Sequence, residues 1–123
     1  MAASSRILGI GLGDLAPTRN AELQAAGYEL LPTSTMEEVA RACWFETFDV
    51  AIVGHALSNV EKNIIVRCVR EVFRLPVVLI LQKWELRSSL AAESYVCADA
   101  PPEDLIHTIK TVVEINNLRT TGD

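Results

Sequence analysis

The stretch "FDVAIVGHALS", residues 48–58, decides the fold class of this chain. Four consecutive apolar residues, Val50 to Val53, are followed directly by Gly54 and His55. A short, continuously apolar and partly β-branched run is typical of a strand that is buried on both faces, as in a parallel sheet. Parallel α/β folds place their chemistry at the C-terminal ends of such strands. The position after Val53 is therefore the first place to look for a functional group, and it holds a glycine.

Strand and helix patterns alternate along the rest of the sequence. Strands are predicted over residues 6–12, 28–32, 49–54, 77–81 and 95–98. Helical patterns cover residues 15–26, 34–46, 59–73 and 101–115. Ser34 and Thr35, each followed three residues later by a glutamate, predict a capping box, and the pattern of 59–73 places Lys62 on its solvent-exposed face. Alternating strands and helices predict a single three-layer α/β/α domain over residues 1–123, with a core of about 6–115 and a polar, frayed tail at 116–123.

Composition and charge exclude several classes of function. A net charge of −5 over 123 residues argues against a nucleic-acid surface, and the longest apolar run, "PVVLIL", is too short to span a membrane. The N-terminal residues lack the basic region of a signal peptide. Three cysteines in apolar patterns, without metal-ligand spacing, predict free, buried thiols in a reducing compartment. We therefore expect a cytoplasmic protein that binds no metal or cofactor.

Several phrases resemble one known family. "AAGYEL" (25–30), "FDVAIVGHALS" (48–58), "LPVVLILQ" (75–82) and "YVCADAPPEDLIHTIKTVV" (95–113) look like parts of the receiver domain of two-component response regulators. The resemblance covers nearly the whole chain. It implies a flavodoxin-like (CheY-like) fold whose five parallel strands are ordered 2-1-3-4-5.

The chemistry of that family needs an aspartate after strand three, an acidic pair after strand one that helps to hold Mg²⁺, a hydroxyl after strand four and a lysine after strand five. In this sequence those positions fall on Gly54 (aspartate), Gly11, Leu12 and Gly13 (acidic pair), Leu81 or Gln82 (hydroxyl) and Ala98 (lysine). The resemblance therefore implies a degenerate receiver, or pseudoreceiver. We expect a signalling module that is not phosphorylated, is not an enzyme and acts through protein–protein contacts.

Two other functions stay open at this point. "GIGLGD" (9–14) is a loose match to a phosphate loop in which Asp14 occupies the place of the last glycine. A small-molecule or nucleotide binder at the strand ends is the first alternative. The second is an enzyme that uses four polar residues following strand ends, namely Asp14, His55, Lys83 and Asp99.

The segment between strands four and five is short. Residues 83–94 leave room for about two helical turns, so we expect a shortened fourth helix and an incompletely covered sheet. Apolar surface left there favours a homodimer or a protein partner. The residues predicted for this interface are Trp84, Arg87, Lys110 and Glu114. Trp44, the second tryptophan, is expected to pack on the sheet.

Overall fold

The computed structural model describes residues 5–13, 16–81 and 92–121, which form one parallel five-stranded sheet with helices on both faces. The strands are β1 Ser5–Ile10, β2 Tyr28–Thr33, β3 Val50–Val53, β4 Val77–Leu81 and β5 Ser94–Cys97. The helices are α1 Ala16–Ala25, α2 Met36–Phe45, α3 Asn59–Glu71 and α4 Pro102–Thr121. The strand order is β2-β1-β3-β4-β5, which confirms the predicted fold class.

The central strands are buried on both faces, as their uninterrupted apolar sequences predict. Every residue of β3 and β4 is buried. On one side of the sheet Val39 of α2 and Val69 of α3 join a core cluster, and on the other side Leu23 of α1 and Ile109 of α4 join a second cluster. The sheet therefore separates two apolar layers. The N-terminal and C-terminal ends of the strands lie at the two opposite sides of the sheet that remain between these layers.

Local sequence signals fix the starts of two helices. Thr35 caps α2 in a capping box with Glu38, as predicted, and Ser58 caps α3 in the same way with Glu61. The last helix, α4, continues through Thr121, so residues 116–121 are helical instead of belonging to the frayed tail that the polar sequence predicts. Its first turn carries Glu103 and Asp104, where carboxylates interact favourably with the helix dipole.

The prediction for Lys62 is wrong. Only 2% of this residue is exposed, because it shares the inward face of α3 with Ile65, Val66 and Val69. Those spacings of three, four and seven residues are the ones that bring side chains to one face of a helix. The position of Lys62 in the apolar repeat of α3 therefore determines its burial, although its side chain is charged.

The shortened helix predicted within residues 83–94 lies mostly at residues 83–91, outside the residues that the structure describes. Across the described ranges, no helix combines the length and the apolar character needed to cross a membrane.

Candidate functional site

The C-terminal ends of the strands form one side of the sheet, which we call the C-terminal edge. Here lie the described residues at the predicted phosphoryl-site positions: Gly11, Leu12 and Gly13 after β1, Gly54 after β3, Leu81 at the end of β4 and Ala98 after β5. The N–H of Gly54 donates to the carbonyl of Ile10 at 2.8 Å, and the N–H of Ala98 donates to the carbonyl of Leu81 at 2.7 Å. Gln82, the other candidate for the hydroxyl position, lies outside the described residues.

Gly54 has no room for a side chain. A Cβ atom at this position would lie 2.6 Å from the carbonyl oxygen of Gly11 and 2.9 Å from the Cα of Leu12. Both of these atoms belong to the backbone, so no rotamer change removes the contact. An aspartate at position 54 would require the loop between β1 and α1 to move.

The loop between β1 and α1 is held in that position by its own backbone. Gly11 has a φ of +62°, a left-handed conformation that glycine adopts easily and other residues rarely. Its N–H donates to the carbonyl of Thr33 at 2.9 Å, and its carbonyl accepts the N–H of Ala56, also at 2.9 Å. The loop is thereby hydrogen-bonded to β2 on one side and to the loop after β3 on the other.

Apolar side chains fill the space beside these loops. Leu12 is 2% exposed and belongs to the core cluster beneath α1 and α4. Leu57 packs against the opposite cluster, and its Cγ would lie 2.5 Å from a Cβ placed on Gly11. Leucines and backbone therefore occupy the described part of the C-terminal edge.

The residues at the matching positions do not suit Mg²⁺. This cation requires oxygen ligands, usually including one or two carboxylates, and Gly11, Leu12 and Gly54 carry no side-chain oxygen. Within the described ranges, no group of three or more His, Cys, Asp or Glu residues is arranged to hold a metal ion.

A buried arginine lies at the end of β5, where the family's lysine would be. Arg19 of α1 is 6% exposed and donates from Nη2 to the carbonyl of Ala98 at 2.8 Å. Its Nη1 donates to Oε1 of Glu22 at 2.9 Å. The bond to Ala98 connects α1 to the end of β5, and the bond to Glu22 lies within α1. Arg19 is not among the residues predicted for a site, although it lies four residues before the buried Leu23 on the same helix face.

Two of the four residues predicted for an enzyme site, His55 and Asp99, lie in the described part of the chain. His55 is half-buried, and its buried Nδ1 has no hydrogen-bond partner among the described residues. Asp99 is exposed in the turn after β5. Asp14 and Lys83 lie outside the described residues, so the acid/base cluster stays a prediction.

The predicted interface is described only in part. Lys110 and Glu114 are exposed on α4, whereas Trp84 and Arg87 lie outside the described residues. Burial and the carboxylate of Glu114 together raise the pKa of Tyr28, at the start of β2. The carboxylate of Glu114 therefore interacts electrostatically with Tyr28 of the same chain. Its role at an interface stays a prediction.

Trp44 does not pack on the sheet. It is 80% exposed, so that prediction is wrong, and Phe45 beside it is 77% exposed. Both residues lie at the C-terminal end of α2, far along the chain from the segment in which Trp84 was predicted to make contacts.

The three cysteines are free, as predicted, but they are not equally buried. Cys43 and Cys68 are half-buried, and Cys97 is exposed, which contradicts the expectation of three buried thiols. Burial and the neighbouring Cys68 raise the pKa of the Cys43 thiol. Since the thiolate is the reactive form, Cys43 is unsuited to be a nucleophile.

Comparison with known proteins gives structural likeness without sequence likeness. No protein-family model matches the sequence, and no curated protein matches it. The structure is similar to a CheY-like receiver domain protein from Methanospirillum hungatei, with a TM-score of 0.80 and 20% identity, over 94% of this chain and 98% of the other.

Two further solved structures contain bound ligands. The receiver domain of a sensor histidine kinase from Pseudomonas aeruginosa, with a magnesium ion coordinated in its active site cleft, has a TM-score of 0.78 and 14% identity, over 91% of this chain and 99% of the other. The response regulator TrrA from Thermotoga maritima, in complex with Mg²⁺-BeF, has a TM-score of 0.75 and 21% identity, over 88% of this chain and 98% of the other. Together with the observed strand order, these similarities show that the chain has the CheY-like receiver fold.

Proposed function

We propose that this chain is a receiver-like signalling module that is not phosphorylated and acts through protein–protein contacts. The observation that carries the proposal is the closed end of β3. Gly54 supplies no carboxylate, and the nearest backbone atoms of the β1–α1 loop stand 2.6 and 2.9 Å from where a Cβ would be. The nucleophile is missing, and so is the space that it would need.

The charge balance of the edge supports the same proposal. Phosphoryl transfer in the receiver family depends on positioned charges around the phosphoryl oxygens, and the transfer itself is mostly positioning and electrostatic stabilisation. In this chain Leu12 is buried in the core. The lysine position holds Ala98, which has no charged side chain and whose carbonyl accepts a hydrogen bond from Arg19. The groups that would hold Mg²⁺ and neutralise a phosphoryl group are replaced by packing contacts.

Two of the similar solved structures bind ligands that this chain is not expected to bind. The Pseudomonas aeruginosa receiver domain coordinates magnesium, and TrrA holds Mg²⁺-BeF. Backbone similar enough to give TM-scores of 0.75 to 0.78 therefore accommodates these ligands in other proteins. We attribute the expected loss of Mg²⁺ and phosphoryl binding in this chain to its different side chains and to the course of its β1–α1 loop. A module with this fold but without the phosphoryl site can signal only through its surfaces.

The proposal is tested by adding Mg²⁺ and beryllofluoride to the ¹⁵N-labelled protein and recording amide spectra. We expect the amides of Gly11, Gly54 and Ala98 to stay unchanged at millimolar concentrations of both reagents. TrrA, treated in the same way, is the positive control because its complex with Mg²⁺-BeF is known. Saturable shifts at Gly54 that require both Mg²⁺ and beryllofluoride would overturn the proposal.

A further inference from the structure

Two adjoining cavities form a groove at the N-terminal ends of β4 and β5, between the end of α3 and the second half of α4. They measure about 390 Å³ and about 280 Å³ and share the lining residues Arg70, Glu93 and Asn116. Pro76 and Glu93, which directly precede β4 and β5, place the cavities at this end of the sheet. We call the joined cavities the α3–α4 groove. It lies opposite the closed C-terminal edge.

The larger cavity has the size and the apolar wall of a small-molecule site. Pockets for such ligands usually measure about 300–1,000 Å³ and combine apolar lining with a few polar groups. The apolar wall here consists of Ala92, Val112 and Ile115. Ile115 is 50% exposed, so an apolar ligand lying against it would remove apolar surface from water. Since a cavity of about 150 Å³ takes a benzene-sized group, this larger one has room for about eight carbon atoms.

Polar contacts order the part of the groove that the two cavities share. The carboxylate of Glu93 accepts from Nε and Nη2 of Arg70 at 3.3 and 2.9 Å. It also accepts the backbone N–H of Val77 at 2.8 Å, and the N–H of Glu93 donates to the carbonyl of Val77 at 2.9 Å. The end of α3 is thereby connected to the starts of β4 and β5. A site that is ordered before binding loses less entropy when its ligand binds.

One positive charge in the smaller cavity has no partner among the described residues. The charged residues lining this cavity are Arg70, Arg74, Glu71 and Glu93. Glu93 is paired with Arg70, and Oε2 of Glu71 lies 3.5 Å from Nε of Arg67. Arg74 is exposed and forms no ion pair within the described ranges. The charge balance therefore favours a ligand that carries a single negative charge.

The two arginines of the smaller cavity suit a carboxylate. Arg70 uses Nε and Nη2 for Glu93, and the N–H groups of its Nη1 form no hydrogen bond within the described residues. Guanidinium N–H groups match the two oxygens of a carboxylate in geometry and charge. A phosphate group carries a charge of about −1.5 to −2 and would place excess negative charge beside Glu71 and Glu93.

We infer that the α3–α4 groove binds a small carboxylic acid in its ionised form. The carboxylate lies at Arg70 and Arg74, and an apolar body of about eight carbon atoms lies against Val112 and Ile115. This inference goes beyond the proposed function, because it assigns a ligand site at the end of the sheet opposite the phosphoryl-site positions. The site does not depend on whether that edge accepts a phosphoryl group.

The inference is tested by amide NMR titration of the protein with millimolar octanoate. We expect saturable shifts centred on residues 70–75, 92–93 and 112–116. Octanol, which has the same chain without the charge, should bind about ten-fold more weakly, because hydrogen bonds between charged groups are lost. Acetate, which lacks the apolar body, should cause no saturable shift at the same concentrations, and octyl phosphate should bind more weakly than octanoate.

Variants of the protein separate the two contributions to binding. Arg74→Ala should bind octanoate and octanol with similar affinity. Its matched control is Arg41→Ala, which removes an exposed arginine of α2 that lines neither cavity and should bind like the wild type.

The apolar wall is tested in the same way. Ile115→Ser should weaken octanoate binding about five-fold, because it removes apolar surface from the groove. Ile64→Ser is the matched control, since Ile64 is 56% exposed on α3 and lines neither cavity. All four substitutions change exposed side chains, so unfolding would not explain a loss of binding.

Several outcomes would overturn the inference. These are the absence of saturable shifts, shifts centred on Trp44 and Phe45, equal binding of octanoate and octanol by the wild type, and equal losses in Ile115→Ser and Ile64→Ser. Tighter binding of octyl phosphate than of octanoate would overturn the assignment of a carboxylate. None of these outcomes would restore a phosphoryl site, so failure here is distinguishable from failure of the proposed function, which rests on the beryllofluoride experiment.

Discussion

The two ends of the sheet differ in what lies on them. At the C-terminal edge, Gly11 and Gly54 bring two loops into backbone contact, and Leu12 fills the interior beside them. At the N-terminal end, which we call the open end, Trp44 and Phe45 are exposed, and a cavity of about 160 Å³ lies between the α2–β3 and α3–β4 connections. In a fold that usually carries its chemistry at strand C-termini, this chain has its C-terminal edge closed by packing contacts and two exposed aromatic side chains at the other end.

The largest effect is expected when a side chain is forced into the closed edge. Gly54→Asp should destabilise the fold by about 4 kcal/mol, because it combines a backbone clash with a buried, unpaired carboxylate. Gly54→Ala carries only the clash and should cost about 1–3 kcal/mol. Urea unfolding measures both free energies.

Ala56→Asp is the matched control, since it adds the same carboxylate to an exposed position of the same loop. Its effect should stay within about 0.5 kcal/mol. Wild-type stability in Gly54→Asp would mean that the β1–α1 loop moves aside readily, and the contrast between the two ends of the sheet would then fail.

The second effect concerns the buried arginine. Arg19→Met should destabilise the protein by about 2–3 kcal/mol, because it leaves the carbonyl of Ala98 without its donor and Glu22 without its partner. Arg67→Met, which removes an exposed ion pair with Glu71, should cost less than about 1 kcal/mol. Equal losses in thermal or urea unfolding would show that Arg19 does not tie α1 to β5.

These two sites show what the sequence could and could not predict. The run Val77–Leu81 was bounded correctly because uninterrupted apolar residues behave alike in any buried parallel strand. The absence of the carboxylate at position 54 was also visible in the sequence. The closing of the space beside it was not, since it depends on the φ of Gly11 and on where the loop passes.

The two wrong predictions of side-chain burial, for Trp44 and for Lys62, have the same physical cause. Trp44 follows the buried Val39 by five residues, which is about 140° around the helix at roughly 100° per residue, so its exposure is encoded in the helical period. Lys62 lies on the core face by the same period. In both cases the position of the residue in the helical repeat determines its burial more than the residue type does.

A smaller effect, of opposite sign, is expected at the open end. Arg74→Gly should stabilise the protein by about 0.5–1 kcal/mol, because glycine relieves the left-handed backbone conformation of this residue. Arg74→Ala removes the guanidinium but keeps the Cβ, and should leave the free energy of unfolding unchanged. Destabilisation by glycine would indicate that the guanidinium makes contacts that stabilise the fold.

The smallest effect is expected for Trp44 and Phe45, the two exposed aromatic residues at the end of α2. Trp44→Ala and Phe45→Ala should each change the free energy of unfolding by less than about 0.5 kcal/mol, because both side chains are largely exposed. Val39→Ala on the same helix, fully buried, should cost about 2 kcal/mol. If Trp44→Ala were as costly as Val39→Ala, the tryptophan would be a structural residue and not an exposed surface residue.

The central claim is that the C-terminal edge accepts no phosphoryl group, and intact-mass spectrometry after incubation with Mg²⁺ and acetyl phosphate tests it most directly. We expect no gain of mass by this chain under conditions in which TrrA, run in parallel, gains one phosphoryl group. A stoichiometric phosphoryl adduct on this chain, lost on treatment with hydroxylamine as an acyl phosphate would be, would contradict the account.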